Sequence, residues 1–300
     1  MLAAALTTLF FSLSVIFGAR SARLVGPQLA NLARITLATL LLAAWAHTIG
    51  AGVTGPGLRW FFLSGVIGFG LGDMALFGAL PRIGPRLSIL LTQCLAAPIA
   101  AFAEWGWLGT TLRPVDLACA ALVLAGVAIA LAPDRGSGVP RGVFWVGVLF
   151  GIGSAVGQAL GAVVSRKANL VGAAGGFSID GGTAAYQRAL GGVLLTWLAA
   201  IAFRWRRNDE TVTPAPRWRE GGFFIAANAL VGPTIGVGCY QWALRTTPSG
   251  IVLPIVATAP LLTILLAWWI DAVRPTRRAV LGGLVAVGGA VALKLVQAAI

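Results

Sequence analysis

Residues 29–46 read LANLARITLATLLLAAWA, an apolar run with a single cation, Arg34, near its start. Residues 184–200, AAYQRALGGVLLTWLAA, repeat the arrangement around Arg188. At a helical rise of about 1.5 Å per residue, runs of this kind are long enough to cross most of a hydrocarbon layer about 30 Å thick. A cation inside such a layer costs about 2.5–3.5 kcal/mol even on the lenient insertion scale. Two segments that carry the same costly residue at the same place point to a repeated unit.

The whole chain has the composition of a membrane protein. Of its 300 residues 58% are hydrophobic and only 10% charged, and the mean hydropathy is +0.89. Ten apolar spans follow, at 2–18, 29–48, 60–81, 86–104, 115–132, 142–164, 181–203, 221–244, 250–270 and 279–297. The expected fold is therefore an all-α polytopic membrane protein with ten transmembrane helices. The first span lacks a basic leader and a small-residue cleavage site, so it reads as a helix and not as a removed signal. The longest connection, RWRRNDETVTPAPRWRE at 204–220, is a solvated loop by composition. Almost all function must then sit within the bilayer.

Several function classes are poorly supplied. The one histidine is His47, at a helix end, and only nine acidic residues are present. No metal-ligand cluster can be assembled, and no nucleophile with its base, so neither a metal, a cofactor nor an intramembrane enzyme is expected. The stretch GIGSAVG on span six has no preceding strand and is not a nucleotide loop, which leaves ATP drive without a motif. Cys94, Cys119 and Cys239 lie in separate spans without CxxC spacing and read as packing residues.

The net charge of +13 would suggest nucleic acid in a soluble protein. Here the cations fall in alternate loops, which excludes that partner and reports orientation. Fourteen of the 22 Lys and Arg, among them Arg20, Arg23, Arg82, Arg86, Arg141, Arg204, Arg217, Arg219 and Arg277, follow odd-numbered spans, against six on the other side. The positive-inside rule places the fourteen-charge face in the cytoplasm and both termini outside.

Residues 1–140 and 141–300 can be laid on one another. Arg34 falls on Arg188, Gly68 and Gly72 on Gly232 and Gly236, AL at 79 on AL at 243, AP at 97 on AP at 259, RP at 113 on RP at 274, and Gly126 on Gly288. The offset drifts only between 154 and 164 residues, as small loop insertions would produce. Each half contains five spans. With an odd number the second half enters from the opposite face, so the two five-helix repeats are expected to be inverted, the architecture of many secondary transporters.

On these residues the chain resembles the EamA-type transporters of the drug/metabolite transporter superfamily. The resemblance covers the whole chain: an Arg opening the second helix of each half, a Gly-rich third helix ending in AL (Leu80, Leu244), AP in the fourth (Pro98, Pro260), and RP before the fifth (Pro114, Pro275). A Glu that the family often carries after the fourth helix is Thr110 and Asp271 at the matching positions here. The resemblance implies a secondary-active transporter of small metabolites, amino acids or drugs, with export as the expected direction. It would be a multi-pass protein of the plasma (bacterial inner) membrane, working by alternating access, as a monomer or homodimer. Its partners would be a small-molecule substrate, the lipid bilayer and protons as coupling ions. It also implies both termini in the cytoplasm, opposite to the charge count. A non-transporting receptor or scaffold is the other class open to such a chain.

The resemblance implies further a central cavity between the first, third and fourth helices of each half. Helical rise places Asp73, Gln93 and Asn228 in one layer about 12 Å from the fourteen-charge face. Gln158, Thr234 and Thr258 lie deeper, Ser12 and Ser14 nearer the mouth, and Tyr240 at the far mouth. Asp73, whose repeat twin is Val237, either binds a cationic group of the substrate, carries the coupling proton, or pairs with Arg34. Arg34 and Arg188 either fix helix packing, with the Arg34 stem snorkelling to the headgroups, or contact an anionic substrate. Tyr186 is the expected neighbour of Arg188. Gly68 with Gly72, Gly153 with Gly157 and Gly161, and Gly232 with Gly236 form small-xxx-small faces, for tight helix contact or for a hinge.

Overall fold

Helices account for every regular element in the computed structural model, which describes residues 2–108, 113–131, 139–206, 216–246, 252, 255–271 and 276–298. No strand occurs among those residues. Thr110, Pro254, Pro275, the 207–215 part of the long loop and the Asp271 side chain lie outside the described residues.

The order is α1 (Leu2–Val25), α2 (Pro27–Thr48), α3 (Leu58–Gly65), a π-helical segment (Val66–Gly72), α4 (Asp73–Leu108), α5 (Pro114–Leu131), α6 (Arg141–Ala174) and α7 (Gly181–Arg206). Then come α8 (Trp218–Ala229), a second π-helical segment (Leu230–Gly236), α9 (Val237–Thr246), α10 (Ala259–Asp271) and α11 (Arg277–Ala298). Among the described residues five stretches are long and apolar enough to cross a membrane by themselves: Leu2–Val25, Pro27–Thr48, Leu58–Trp107, Arg141–Ala174 and Trp218–Arg245. Large apolar side chains stand outward in mid-helix, such as Leu40, Leu149, Leu198 and Phe223. Water penalises such a surface and lipid does not.

Local sequence explains the breaks. The stretch from Asp73 to Leu108 is two helices that meet at Gly84, whose φ of +74° is left-handed and strains any residue with a Cβ. Pro85 follows in the first-turn position that tolerates a missing N–H. The two π-helical segments are each Gly-rich, with Gly68, Gly70 and Gly72 in the first and Gly232, Pro233 and Gly236 in the second. Weak α-propensity at these positions makes the wider turn cheap. Helix α6 runs to Ala174, well past the expected end at 164, because its last turns pack on the 49–57 connection.

The helices of residues 1–140 and 141–300 interleave. Helix α1 packs on α8 with its π segment and on α10; in exchange, α6 packs on α3 with its π segment and on α4. Helix α2 packs on α7, and α5 on α11. In the last pair Gly126 and Gly282 bring the backbones together, since a Cβ at either would lie 2.3 Å or 2.5 Å from the facing chain. The thiols of Cys94 and Cys119 are buried and that of Cys239 is half-buried.

At the six-charge end, α7 holds the connection after α2. Gln187 Nε2 donates to the carbonyls of Gly52 (3.0 Å) and Thr54 (2.9 Å), and Ala51 N–H donates to Thr183 Oγ1 (3.2 Å). Asp180 caps α7 by accepting from Thr183 N–H (2.9 Å) and Thr183 Oγ1, and also accepts from Trp45 Nε1 (2.9 Å) on α2. Burial alone would raise the Asp180 carboxyl; these hydrogen bonds outweigh it and hold the group below the ordinary carboxylate value. Asp180→Ala is expected to cost about 1 kcal/mol at neutral pH. Because the folded-state pKa is the lower one, the carboxylate's part of that difference is present above a pH of about 4 and shrinks as pH falls below it. Thermal melts of both proteins in detergent at neutral and acid pH check this.

Candidate functional site: a charged cavity between the interleaved helices

A cavity with about 620 Å³ of empty space, open solvent included, is lined by both π-helical segments. Its wall takes Phe11, Ser14 and Val15 from α1, Arg34 from α2, Ser154 and Gln158 from α6, and Arg188 from α7. The first π segment adds Gly68, Phe69 and Gly72, and α4 adds Asp73, Leu76, Ile89, Thr92 and Gln93. Gly232 and Pro233 of the second π segment and Val237 and Tyr240 of α9 complete it. An apolar cluster around Ala96, Ala100, Val163, Ala243 and Leu244 packs beside Tyr240 toward the six-charge end. Another, around Ile16, Phe77, Leu80 and Ile225, packs toward the opposite end.

The charged side chains in the wall are two guanidinium groups and one carboxylate. Arg34 is 4% exposed. Its Nη2 donates to the Asp73 carboxylate and to Asn31 Oδ1 (2.9 Å), and its Cζ stands 4.9 Å over the Phe77 ring. Of the alternatives left open by the sequence, the geometry is that of the ion pair. The Arg34 side chain turns inward to a carboxylate, where the snorkelling alternative required it to reach the headgroups, because pairing offsets the cost of a cation at that depth.

Arg188 is placed differently. It is 3% exposed, its Cζ lies 5.1 Å from the Phe69 ring centroid, and its Nε has no hydrogen-bond partner. No hydrogen bond or ion pair to the Arg188 side chain occurs among the described residues, although the Asp73 carboxylate and the Tyr240 hydroxyl act on it through space. Its twin position in the repeat is thus kept and its partner is not. Tyr186, the expected neighbour, instead meets His47, with its hydroxyl 3.2 Å from Nε2 and the rings edge to face. The Arg188 guanidinium fits only because two glycines leave it room. A Cβ at Gly68 would lie 2.8 Å from Nη2, and one at Gly161 would lie 3.3 Å from it.

Of the residues expected to bind substrate, Asp73, Gln93, Gln158, Ser14 and Tyr240 line the cavity. Asn228, Thr234 and Thr258 do not. The Asn228 amide is 2.6 Å from Ser14 Oγ and, turned so that its nitrogen faces Ser14, accepts from Gly18 N–H. It therefore ties α8 to α1 beside the cavity; depth along a helix carries no information on which way a side chain points. Thr258 Oγ1 donates to the Ile255 carbonyl (2.6 Å), closing a local turn. Thr234 Oγ1 is buried without a partner and off the cavity wall. Ser12 Oγ donates to the carbonyls of Thr8 (2.7 Å) and Ala259 (3.1 Å), so it joins α1 to α10.

The glycine faces separate by position. Gly72 and Gly157 touch backbone to backbone, a Cβ on Gly157 lying 2.5 Å from Gly72 Cα, and Gly161 lies against Gly68. A Cβ at Gly232 would lie 2.3 Å from Ser14 Oγ, and Gly236 faces Phe10 and Phe11 on α1. Gly153 does not share the close packing expected of it, since its nearest neighbour would be Ala75 Cβ at 3.5 Å, an ordinary contact. Gly65 was not singled out in the sequence, yet a Cβ there would stand 1.7 Å from the Arg188 carbonyl oxygen. The π-helical segments were also missed. Their signal was the glycine density at 68–72 and 232–236.

The EamA-like transporter family model matches residues 1–132 and again residues 145–295. No curated protein matches the chain. A solved crystal structure of a protein superposes with a TM-score of 0.68 at 20% sequence identity, covering 99% of this chain and 96% of the other. At that identity the likeness concerns the fold alone.

Proposed function

The chain belongs to the EamA-like transporter family, matched in both halves, and from this premise we propose that it is a secondary-active carrier that moves a small solute by alternating access through the cavity between two inverted five-helix repeats. Membership makes it a multi-pass integral membrane protein. In our reading there are ten membrane-crossing helices, with Gly84 separating the third from the fourth, in repeats 1–140 and 141–300. The membrane is the plasma (bacterial inner) membrane, export is the direction, and protons are the coupling ions.

The observation that carries this reading is the lining of the cavity. The two π-helical segments, offset by 164 residues at both ends (66 to 230, 72 to 236), contribute to one polar cavity. The pairing of helices supports it. Contacts of α1 with α8 and α10 are exchanged for contacts of α6 with α3 and α4, while α2 meets α7 and α5 meets α11. A two-fold relation between the repeats produces such an exchange, and together with the odd number of spans in each half it supports the inverted arrangement. The apolar clusters on either side of the cavity supply two barriers that can open in turn.

Counterflow in proteoliposomes tests the proposal. Vesicles loaded with an unlabelled solute of the recognised class are expected to accumulate the labelled solute transiently, in proportion to protein and without ATP. Saturable binding with no flux in vesicles of either orientation would overturn it in favour of a receptor.

A further inference from the structure

We infer that Arg188 is the anion-binding subsite of the cavity, so that the solute carried is one bearing an oxyanion, a carboxylate or a phosphate. This rests on the carrier reading for its consequence in transport, but not for the binding itself.

The argument is one of charge and of unmet hydrogen bonds. Arg34 and Asp73 neutralise one another across a direct contact. That leaves Arg188 with a full positive charge, 97% buried, its Nε without an acceptor. An uncompensated buried charge is among the costliest features a protein can keep, and it is kept where something else supplies the counter-charge. Within the chain the Asp73 carboxylate acts on Arg188 only at a distance. A guanidinium presents two parallel N–H donors in a fixed fork, and carboxylate and phosphate oxygens match it.

The surroundings are built to the same end. Gly68 and Gly161 leave the space that Nη2 occupies, and Phe69 lies beneath the guanidinium plane, so the group is held in place without being hydrogen-bonded. Besides Arg34 Nε, whose guanidinium is already paired with Asp73, three more groups on the wall have buried polar atoms without partners: Gln158 Nε2, Gln93 Oε1 and the Tyr240 hydroxyl. Two of these are donors that can share the anion with Arg188. The third side chain, an amide, can present either end to the remainder of the solute. A simple structural arginine would have carbonyl acceptors, as Arg82 has in Gly78 (2.6 Å).

The test uses the full-length protein in detergent, with 3-phenylpropionate, 3-phenylpropanol and 3-phenylpropylamine as probes of one shape and three charges, and inorganic phosphate as a fourth. The anion is expected to raise the melting temperature saturably, with no comparable shift from the alcohol or the amine. Phosphate separates the two oxyanions: whichever of phosphate and phenylpropionate gives the shift identifies the class. Arg188→Gln is expected to weaken that binding by about 10-fold to 100-fold, the loss of a charge-assisted hydrogen bond, and Arg188→Lys to retain a reduced response. A second measurement needs no variant. A guanidinium-selective dicarbonyl labels Arg188 in the wild-type protein, read on its peptide, and the anion is expected to slow that labelling. The inference is overturned if no anion stabilises or protects the wild type, if the response survives Arg188→Gln, or if the amine is the better ligand. Counterflow separates the two claims. Flux of neutral or cationic solutes that is unaffected in Arg188→Gln sinks this inference and leaves the carrier intact. Anion binding without flux does the reverse.

Discussion

Asp73→Asn is expected to destabilise the protein by about 3–5 kcal/mol, the cost of breaking a buried ion pair from one side. The carboxylate accepts from Arg34, which is 4% exposed and among the described residues has Asn31 Oδ1 as its other hydrogen-bond acceptor. Without it two guanidinium groups face one cavity with no counter-charge in its wall. The pair is asymmetric. Asp73 also feels Arg188, so a carboxylate left behind by Arg34→Gln still has a cation to answer, and that variant is expected to lose less than Asp73→Asn. Replacing both members by neutral amides of similar size is expected to recover most of the loss. The double variant, Arg34→Gln with Asp73→Asn, then serves for transport: if the pair is structural, its rate and pH dependence match the wild type and anion binding at Arg188 persists. Loss of flux in a double variant that still melts like the wild type would return the proton or a cationic substrate group to Asp73. Thermal unfolding of the four proteins, followed by counterflow on those that fold, decides between them.

What the sequence disclosed depended on one-dimensional signals. Apolar runs and the spacing of RP, AP and AL dipeptides marked most helices and the internal repeat, because hydrophobicity and order are properties of the chain itself. The gap between the spans at 60–81 and 86–104 coincides with the break at Gly84. Direction around a helix was legible only in part. Asp73 and Gln93, counted to one layer, and Gln158, counted deeper, line the cavity, while Asn228, counted to the layer of the first two, faces Ser14 on α1. Depth follows from counting residues. Facing follows from which neighbour a helix leans on, and the π-helical turns at 66–72 and 230–236 shift the phase of everything after them. The partner of Arg34 was one of the alternatives written in the sequence. The solitude of Arg188 was only half written there: the repeat set Val237 opposite Asp73, but did not tell that no other described side chain would pair with Arg188.

Gly65→Ala is expected to cost more than about 3 kcal/mol, although it adds a single methyl group to a helix. The methyl would stand 1.7 Å from the Arg188 carbonyl oxygen and 2.5 Å from its carbon, and backbone cannot rotate aside as a side chain can. Helices α3 and α7 would have to part, carrying the Arg188 guanidinium away from its notch at Gly68 and Gly161. Gly157→Ala meets Gly72 Cα at 2.5 Å and is expected to behave alike, by parting α6 from the first π segment. Gly153→Ala is the control. It lies on the same helix at the same four-residue spacing, but its methyl would make an ordinary contact with Ala75 at 3.5 Å. With no clash to oppose it, the better helix propensity of alanine should leave stability unchanged or raise it by up to about 1 kcal/mol. Melting temperatures of the three variants in one detergent separate close packing from mere glycine content. A Gly153 variant as damaged as the other two would mean that α6 flexes at its glycines instead of resting on them, and that the notch holding Arg188 is not set by this contact.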